Sequence, residues 1–301
     1  MEGVIRRVAI SPSAAAAIVA VMLAGGLLIA YAVSPRPESS ADSYVIGQFN
    51  MAGGTTEHGT KGNAPADALA AEVKGRKAAL ITLQESCRDW DARLRDRLPG
   101  YTVLFGPVDN LDESRSTARC RHPTDFGNTL VFRDDLGFDE DTAASHLLGS
   151  TVGDEYREMI CVRSESRKLV ACSAHLTPGA GEFLGSRLRE AAEAGRILAT
   201  RYKGYTAILG GDINDLPASD TLDSFYHRDY RRGADGALKE AAGPCGDSMR
   251  PERRSCRSGE QTHAKGKIDY LFVSPSVRVE WSGVAHSEHS DHRPLWARVV
   301  F

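Results

Sequence analysis

The sequence predicts a mixed, mostly antiparallel α/β fold. Two observations carry this reading. Short apolar runs of strand length recur along the chain, and only two clear helical patterns lie between them. The runs fall at 44–49, 78–83, 101–105, 129–132, 159–162, 169–173, 206–209, 268–273 and 295–300. The first helix is the Ala-rich stretch 64–73. The second is 182–202, where Leu184, Leu188, Ala191, Ala192, Gly195, Leu198 and Ala199 fall near one stripe. Strands near both ends, hairpins in the middle and few helices give the mixed arrangement.

The N-terminus reads differently. Arg6 and Arg7 precede an uncharged apolar run at 14–33. At about 1.5 Å per residue, a helix of that length reaches about 30 Å, enough to span a bilayer core. Arginine on its N-terminal side predicts a cytoplasmic N-terminus and an exported remainder. Residues 1–33 are therefore read as a signal peptide or an uncleaved signal-anchor helix. Ala30-Tyr31-Ala32 supplies a small-x-small cleavage site, whereas the length of the run favours an anchor. Residues 34–43, rich in Pro and Ser, read as a linker, and 44–301 as the folded domain.

Bulk composition agrees with a globular domain. Hydrophobic content is 42%, charged content 26% and formal net charge −3. That balance argues against a basic structural DNA-binding protein but leaves open an enzyme with one basic cleft. All six cysteines lie beyond the apolar run, and an even number in an exported domain predicts disulfides. Cys161 and Cys172 flank a predicted turn at 164–167, and Cys245 and Cys256 bracket an irregular basic loop. Sequential pairing is therefore expected, with Cys87 and Cys120 forming the remaining bridge. A zinc site is the alternative, but no Cys-x-x-Cys is present.

Six polar motifs stand beside predicted strands. They are Phe49-Asn50, Gln84-Glu85, Ala174-His175-Leu176, Gly211-Asp212-Ile213-Asn214, Ile268-Asp269-Tyr270 and Ser290-Asp291-His292-Arg293-Pro294. Glu85 reads as a carboxylate ending an apolar strand, and hard oxygen ligands of this kind suit Mg²⁺ or Mn²⁺. Asn50 also ends a strand and can accept a metal or orient a phosphate. Asp212 and Asn214 lie two apart, so an extended chain would turn both the same way, toward one water and one phosphate oxygen. An imidazole such as His175 or His292 can hold or release a proton near neutrality. Arg157 offers a bidentate guanidinium for phosphate.

In order and context this set resembles the endonuclease/exonuclease/phosphatase superfamily, which includes deoxyribonuclease I and exonuclease III. The resemblance runs from about Tyr44 to Phe301. It implies two sheets packed face to face with helices outside, a four-layer α/β sandwich with the site at one edge. It implies Glu85 as the principal metal ligand, joined by Asn50 and Asp291. It implies that Asp269 holds the His292 imidazole in one tautomer, and that His292 acts as base with Asp212 as its rival. His175 and Asn214 would meet the scissile phosphate, with Arg157 as a further phosphate contact. Glu113 and Asp125 are candidates for the carboxylate that orients His175. Asn128 fits the pattern without a clear role, and His286 and His289 read as solvated loop residues.

The expected function is an exported, Mg²⁺- or Mn²⁺-dependent phosphodiesterase acting on nucleic acid, DNA or RNA. It would work as a monomer and touch the membrane only through an uncleaved N-terminal helix. A basic loop of Arg250, Arg253, Arg254, Arg257, Lys265 and Lys267 would track the phosphates. Two alternatives differ in class. A phosphomonoesterase or lipid phosphodiesterase would share the chemistry, although Trp90, Trp281 and Trp296 are too dispersed for a membrane-inserting cluster. A catalytically dead surface module would keep only the scaffold.

Overall fold

A computed structural model describes residues 42–112, 114, 116–150, 152–231, 233–245 and 256–301. The apolar run at 14–33, most of the linker, Glu113 and the loop arginines Arg250, Arg253 and Arg254 lie outside the described residues. Among the described residues, no helix is long and apolar enough to cross a membrane.

The chain forms β1 (Ser43–Asn50), α1 (Ala64–Arg76), β2 (Ala78–Cys87), α2 (Arg88–Arg97), β3 (Tyr101–Pro107), β4 (Phe126–Arg133), β5 (Asp139–Leu147), β6 (Glu158–Ser164), β7 (Leu169–His175), α3 (Glu182–Thr200), β8 (Thr206–Asp212), β9 (Lys239–Glu240), β10 (Asp269–Val273), β11 (Arg278–Val284) and β12 (Leu295–Val300). Two six-stranded sheets result, ordered β11-β12-β1-β2-β4-β3 and β5-β6-β7-β8-β10-β9. Among the described strands, only β1–β2 and β7–β8 pair in parallel. Each of those pairs needs a crossover, and α1 and α3 supply them.

The sheets pack face to face through Ile46, Leu80, Leu130 and Phe132 on one side and Ile160, Val162, Ala171, Ile208 and Leu271 on the other. Alternate residues face outward. Ile81, Leu83 and Val131 meet Leu69 and Val73 of α1 and Trp90 and Leu94 of α2. Cys172, Ala174 and Leu209 meet Ala191, Ala194 and Ile197 of α3. Both faces of each central strand are thus buried, which explains why these strands read as continuous apolar runs. The four-layer sandwich is the predicted one.

All nine predicted strands form. β5, β9 and β11 are additional, and each has a physical reason to be obscure. β5 and β11 are edge strands with largely exposed, polar residues, and β9 has only two. Helix α2 carries four arginines and three aspartates in ten residues and buries only Trp90, Asp91 and Leu94. Three disulfides join Cys87–Cys120, Cys161–Cys172 and Cys245–Cys256, the sequential pairing. Cys161 and Cys172 are direct cross-strand neighbours on β6 and β7.

Candidate active site

Strand register assembles the site. His175, Asp212 and Asp269 sit side by side at one end of β7, β8 and β10. In the facing sheet, Asn50 pairs with Gln84 at the same end of β1 and β2. Buried amides join the sheets here. Gln48 Nε2 donates to Gln84 Oε1 at 2.6 Å and to Asp269 Oδ1 at 3.2 Å, and Gln84 Nε2 donates to Ser173 Oγ at 3.0 Å. The turn before β12 is pinned to β1 by Ser290 Oγ, which donates to Asn50 O at 2.8 Å and accepts from His292 N at 3.0 Å.

A cavity of about 710 Å³ opens at this edge. Glu85, Arg157, His175, Asp212, Asn214, Asp291 and His292 line it. Asn50 and Asp269 lie behind its wall, fully buried. The sequence-predicted residues therefore converge, with three changes in how they do so. First, β2 does not end at Glu85. It continues to Cys87 through a bulge between Leu83 and Ser86, and Glu85 adopts a left-handed φ of 49°. The bulge turns the carboxylate into the cavity, where Gly54 N donates to its Oε2 at 3.2 Å.

Second, Asp212 and Asn214 do not converge through an extended chain. Asp212 is the last residue of β8, and Asn214 has a left-handed φ of 56°. Asn214 N donates to Asp212 Oδ1 at 3.0 Å, closing a tight turn that brings both side chains into the cavity. Third, Asn50 does not present its oxygen to the cavity. Its Oδ1 accepts from Ala52 N at 2.9 Å, while Nδ2 donates to Glu85 Oε1 at 3.1 Å and Asp212 Oδ2 at 3.0 Å. In this arrangement Asn50 ties the two carboxylates together.

The His292 tautomer follows from its partner. Nδ1 lies 2.9 Å from Asp269 Oδ2, so Nδ1 carries a proton and Nε2 faces Asp212 Oδ2 at 3.7 Å. Burial disfavours the imidazolium, but Asp269, Asp212 and Asp291 together outweigh it and raise the His292 pKa to about 10. Burial, then the Asp269 charge, pushes the Asp212 carboxyl upward. Both shifts favour retention of a proton on the Asp212–His292 pair.

His175 is the opposite case. Burial, then Arg157 and His292, drive its pKa well below the ordinary value, so it is a neutral imidazole. Arg157 Nη1 donates to Nδ1 at 3.2 Å, and Nε2 lies 3.2 Å from Asn214 Nδ2 and 3.6 Å from Asp212 Oδ2. No orienting carboxylate is needed at Nδ1, because Arg157 takes that place. Asp125, one expected partner, pairs instead with Arg119 at 2.5 Å.

Four residues of this site have no motif in the sequence reading. Glu155 holds Arg157 through an ion pair at 2.6 Å. His263 Nδ1 accepts from Lys265 N at 3.0 Å, so its Nε2 carries the proton and faces Asp291 Oδ2 at 3.3 Å. That tautomer makes His263 a donor to Asp291 and a poor ligand through Nε2. Thr177 and Phe183 complete the wall. Glu155 lies two residues before Arg157, and His263 six before Asp269. Proximity to a motif was their only sequence signal.

The predicted basic track is not continuous among the described residues. Arg257 is buried, bonded to Asp223 at 2.5 Å, and Lys267 is buried against Glu240 at 2.7 Å. Lys265 alone of the described three lines the cavity. Asn128 is internal, donating to Glu158 O at 3.3 Å. His286 and His289 line a separate, smaller cleft beside Phe49 and Leu69.

A profile of the Endonuclease/Exonuclease/phosphatase family matches residues 47–292. The chain belongs to this family. Members hydrolyse phosphate esters, and the chain is a phosphoester hydrolase of that kind. Solved structures share the family fold at low sequence identity. The endonuclease/exonuclease/phosphatase from Bacteroides vulgatus is 16% identical, with a TM-score of 0.63 over 86% of this chain and 98% of that one. A mannosyl-6-phosphatase from Bacteroides thetaiotaomicron is 16% identical, with a TM-score of 0.62 over 86% and 100%. The human Nocturnin catalytic domain, solved with a bound sulfate, is 18% identical, with a TM-score of 0.62 over 89% and 100%. No curated protein matches the chain in sequence.

Family enzymes are typically dependent on a divalent metal, and the donors here fit one. Glu85, Asp212 and Asp291 bring three carboxylates to one cavity, with Glu155 beside them. The Glu85 charge helps to raise both Asp212 and Glu155. A hard cation would relieve that repulsion, and Glu85 and Asp291 both line the cavity it would occupy.

Proposed function

We propose that the chain is an exported, divalent-metal-dependent phosphodiesterase that cuts DNA or RNA by in-line attack of water. The observation that carries this reading is the meeting of the Asp269–His292 pair with Asp212, at 2.9 Å and 3.7 Å, on a cavity walled by Glu85, Asp291, His175 and Asn214. One water can hydrogen-bond to both His292 Nε2–H and Asp212 Oδ2, and with the proton held on His292 the Asp212 carboxylate takes the water's proton. His175 and Asn214, in contact at 3.2 Å, face the phosphate and steady the charge that develops on it. Arg157, oriented by Glu155, adds a fixed positive charge. Mg²⁺ or Mn²⁺, held by Glu85 and Asp291, would neutralise the phosphate and stabilise the leaving oxyanion.

Charge favours a diester. The cavity has more carboxylates than free cations, since Arg157 is paired with Glu155 and Arg119 with Asp125. A phosphodiester carries one negative charge and a monoester nearly two, so the diester is the easier anion to admit. Phe126, Phe183 and Pro178 give apolar surface for the groups flanking the phosphate. Three buried disulfides support an extracytoplasmic location. The domain is proposed to act as a monomer.

A second reading is a phosphatase or lipid phosphodiesterase. The inward-facing Arg257 and Lys267 favour it, because they leave less basic surface for a polyanion. One experiment separates the two. The full chain is incubated with plasmid DNA, RNA, sphingomyelin, inositol phosphates and mannose 6-phosphate, with Mg²⁺, with Mn²⁺ or with chelator. Metal-dependent cutting of DNA or RNA is expected. Turnover of only the lipid or the monoesters would overturn the nuclease reading.

A further inference from the structure

We propose that Arg187 is a positioning residue that fixes His175 relative to Asn214. The inference rests on the phosphoester-hydrolase reading of the cavity. Arg187 lies on α3, is buried, and does not line the active-site cavity. Its guanidinium reaches three acceptors on two loops. Nη1 donates to Thr177 O and Gly179 O, each at 2.8 Å, and Nε donates to Asp215 Oδ2 at 3.1 Å.

Those loops follow the two residues in question. Thr177 is two residues after His175 at the end of β7, and Asp215 directly follows Asn214 beyond β8. At the cavity itself the loops touch through Asn214 Nδ2, which donates to Leu176 O at 3.0 Å and lies 3.2 Å from His175 Nε2. Arg187 closes the same junction from behind. Each loop also has its own anchor. Fully buried Glu190, one turn along α3, accepts from Thr177 N at 2.8 Å and Thr177 Oγ1 at 2.6 Å. Asp215 accepts from Thr221 Oγ1 at 2.7 Å through its side chain and from Tyr270 Oη at 2.8 Å through its carbonyl.

A buried ion pair is weak evidence for stability, because desolvation offsets the attraction. The role argued for Arg187 is therefore geometric. A planar guanidinium can satisfy acceptors on two segments in one fixed fork, which an ammonium cannot. Asn214 also holds a left-handed backbone, φ 56°, which needs support from its surroundings. A displacement of about 1 Å between His175 and Asn214 is enough to cost on the order of 100-fold in rate.

The test uses Arg187→Lys, which keeps the charge and loses the fork. With whichever ester the wild-type chain hydrolyses, kcat should fall roughly 10- to 100-fold while KM changes less than about threefold. In an Asn214→Ala background the same change should cost less than about threefold more, because the two substitutions act through one geometry. Selective ¹⁵N labelling of histidine gives a readout without substrate, in which the His175 ring signals should shift in Arg187→Lys. If that variant is too unstable to purify, Asp215→Asn, which loosens the same junction, takes its place. Wild-type kcat in the variant, or a full multiplicative loss in the Asn214→Ala background, would overturn the proposal. A wild-type chain inactive on every phosphate ester would instead defeat the hydrolase reading, and the His175 signals would decide the clamp alone.

Discussion

His292 Nδ1 lies 2.9 Å from Oδ2 of Asp269, a carboxylate with no solvent exposure. This contact sets both the tautomer and the charge of His292. Against the burial that disfavours the imidazolium, it is the first contributor to the raised pKa, about 10. The folded value lies above the ordinary histidine value of about 6.5, so the stabilisation is full below pH 6.5 and fades as pH rises toward 10. Asp269→Asn should lower the His292 pKa and weaken that fade, with Asp212 and Asp291 still favouring the imidazolium. NMR titration of His292 in chelator-treated protein measures the first effect, and the pH dependence of Tm the second. Turnover should fall on the order of 10³- to 10⁴-fold, as when a histidine loses its orienting carboxylate.

Asp212 stands 3.7 Å from His292 Nε2 and 3.6 Å from His175 Nε2. Burial and the nearby Asp269 charge both disfavour its ionised form. Asp212→Asn removes that penalty but breaks the acceptor for Asn50 Nδ2. These effects oppose, so Tm should stay within a few degrees of wild type while turnover drops at least on the order of 100-fold. Thermal melts and a single rate measurement check both halves. Near-normal turnover would remove Asp212 from the proton-transfer step.

The chemistry of this site was legible because it sits on central strands. Their apolar runs located the strand ends, and the register then brought His175, Asp212 and Asp269 together without help from any loop. What stayed hidden depends on backbone detail. The Glu85 bulge has no residue signature, and Asn214, although asparagine tolerates a left-handed backbone, reads equally well in an extended chain. Glu155, His263 and Arg187 act through contacts between segments distant in sequence or through polar loops without periodicity. The basic loop misled for a related reason. Charge in a sequence does not reveal direction, and Arg257 and Lys267 point inward to Asp223 and Glu240.

The Cys87–Cys120 disulfide should matter to catalysis as well as to folding. Cys87 lies two residues beyond Glu85, and Cys120 adjoins Arg119 at the cavity rim. Gly53 packs beneath the bridge so closely that a Cβ there would lie 2.5 Å from Cys87 Sγ, and Gly53 N donates to Glu85 O at 3.0 Å. The bridge thus braces the left-handed turn that aims Glu85. Cys161–Cys172 instead packs with the residues beneath α3. In the chain-entropy account, removing either bridge costs about 3–4 kcal/mol. Cys87→Ser/Cys120→Ser should also lose at least tenfold in turnover at a temperature where it is fully folded. Cys161→Ser/Cys172→Ser should not. Rates and melts on both double variants, measured side by side, distinguish the two roles.

Asp91 gives a pH prediction far from proton transfer. It is fully buried on α2 and accepts from Ser86 Oγ and Thr129 Oγ1, both at 2.7 Å. Burial raises its pKa to about 7, against the two hydroxyl bonds that favour the charged form. The unfolded value is about 3.9, so the folded state holds the proton more tightly between those limits. Folding stability from this group is therefore full below about pH 4 and declines as pH rises toward 7. Asp91→Asn keeps a hydrogen-bonding group of the same size and cannot ionise. The stability of Asp91→Asn relative to wild type should therefore improve from pH 5 to pH 8, whatever its absolute value at pH 5. Urea unfolding of both proteins at the two pH values measures this. A difference that stays constant across that range would show that Asp91 does not titrate there.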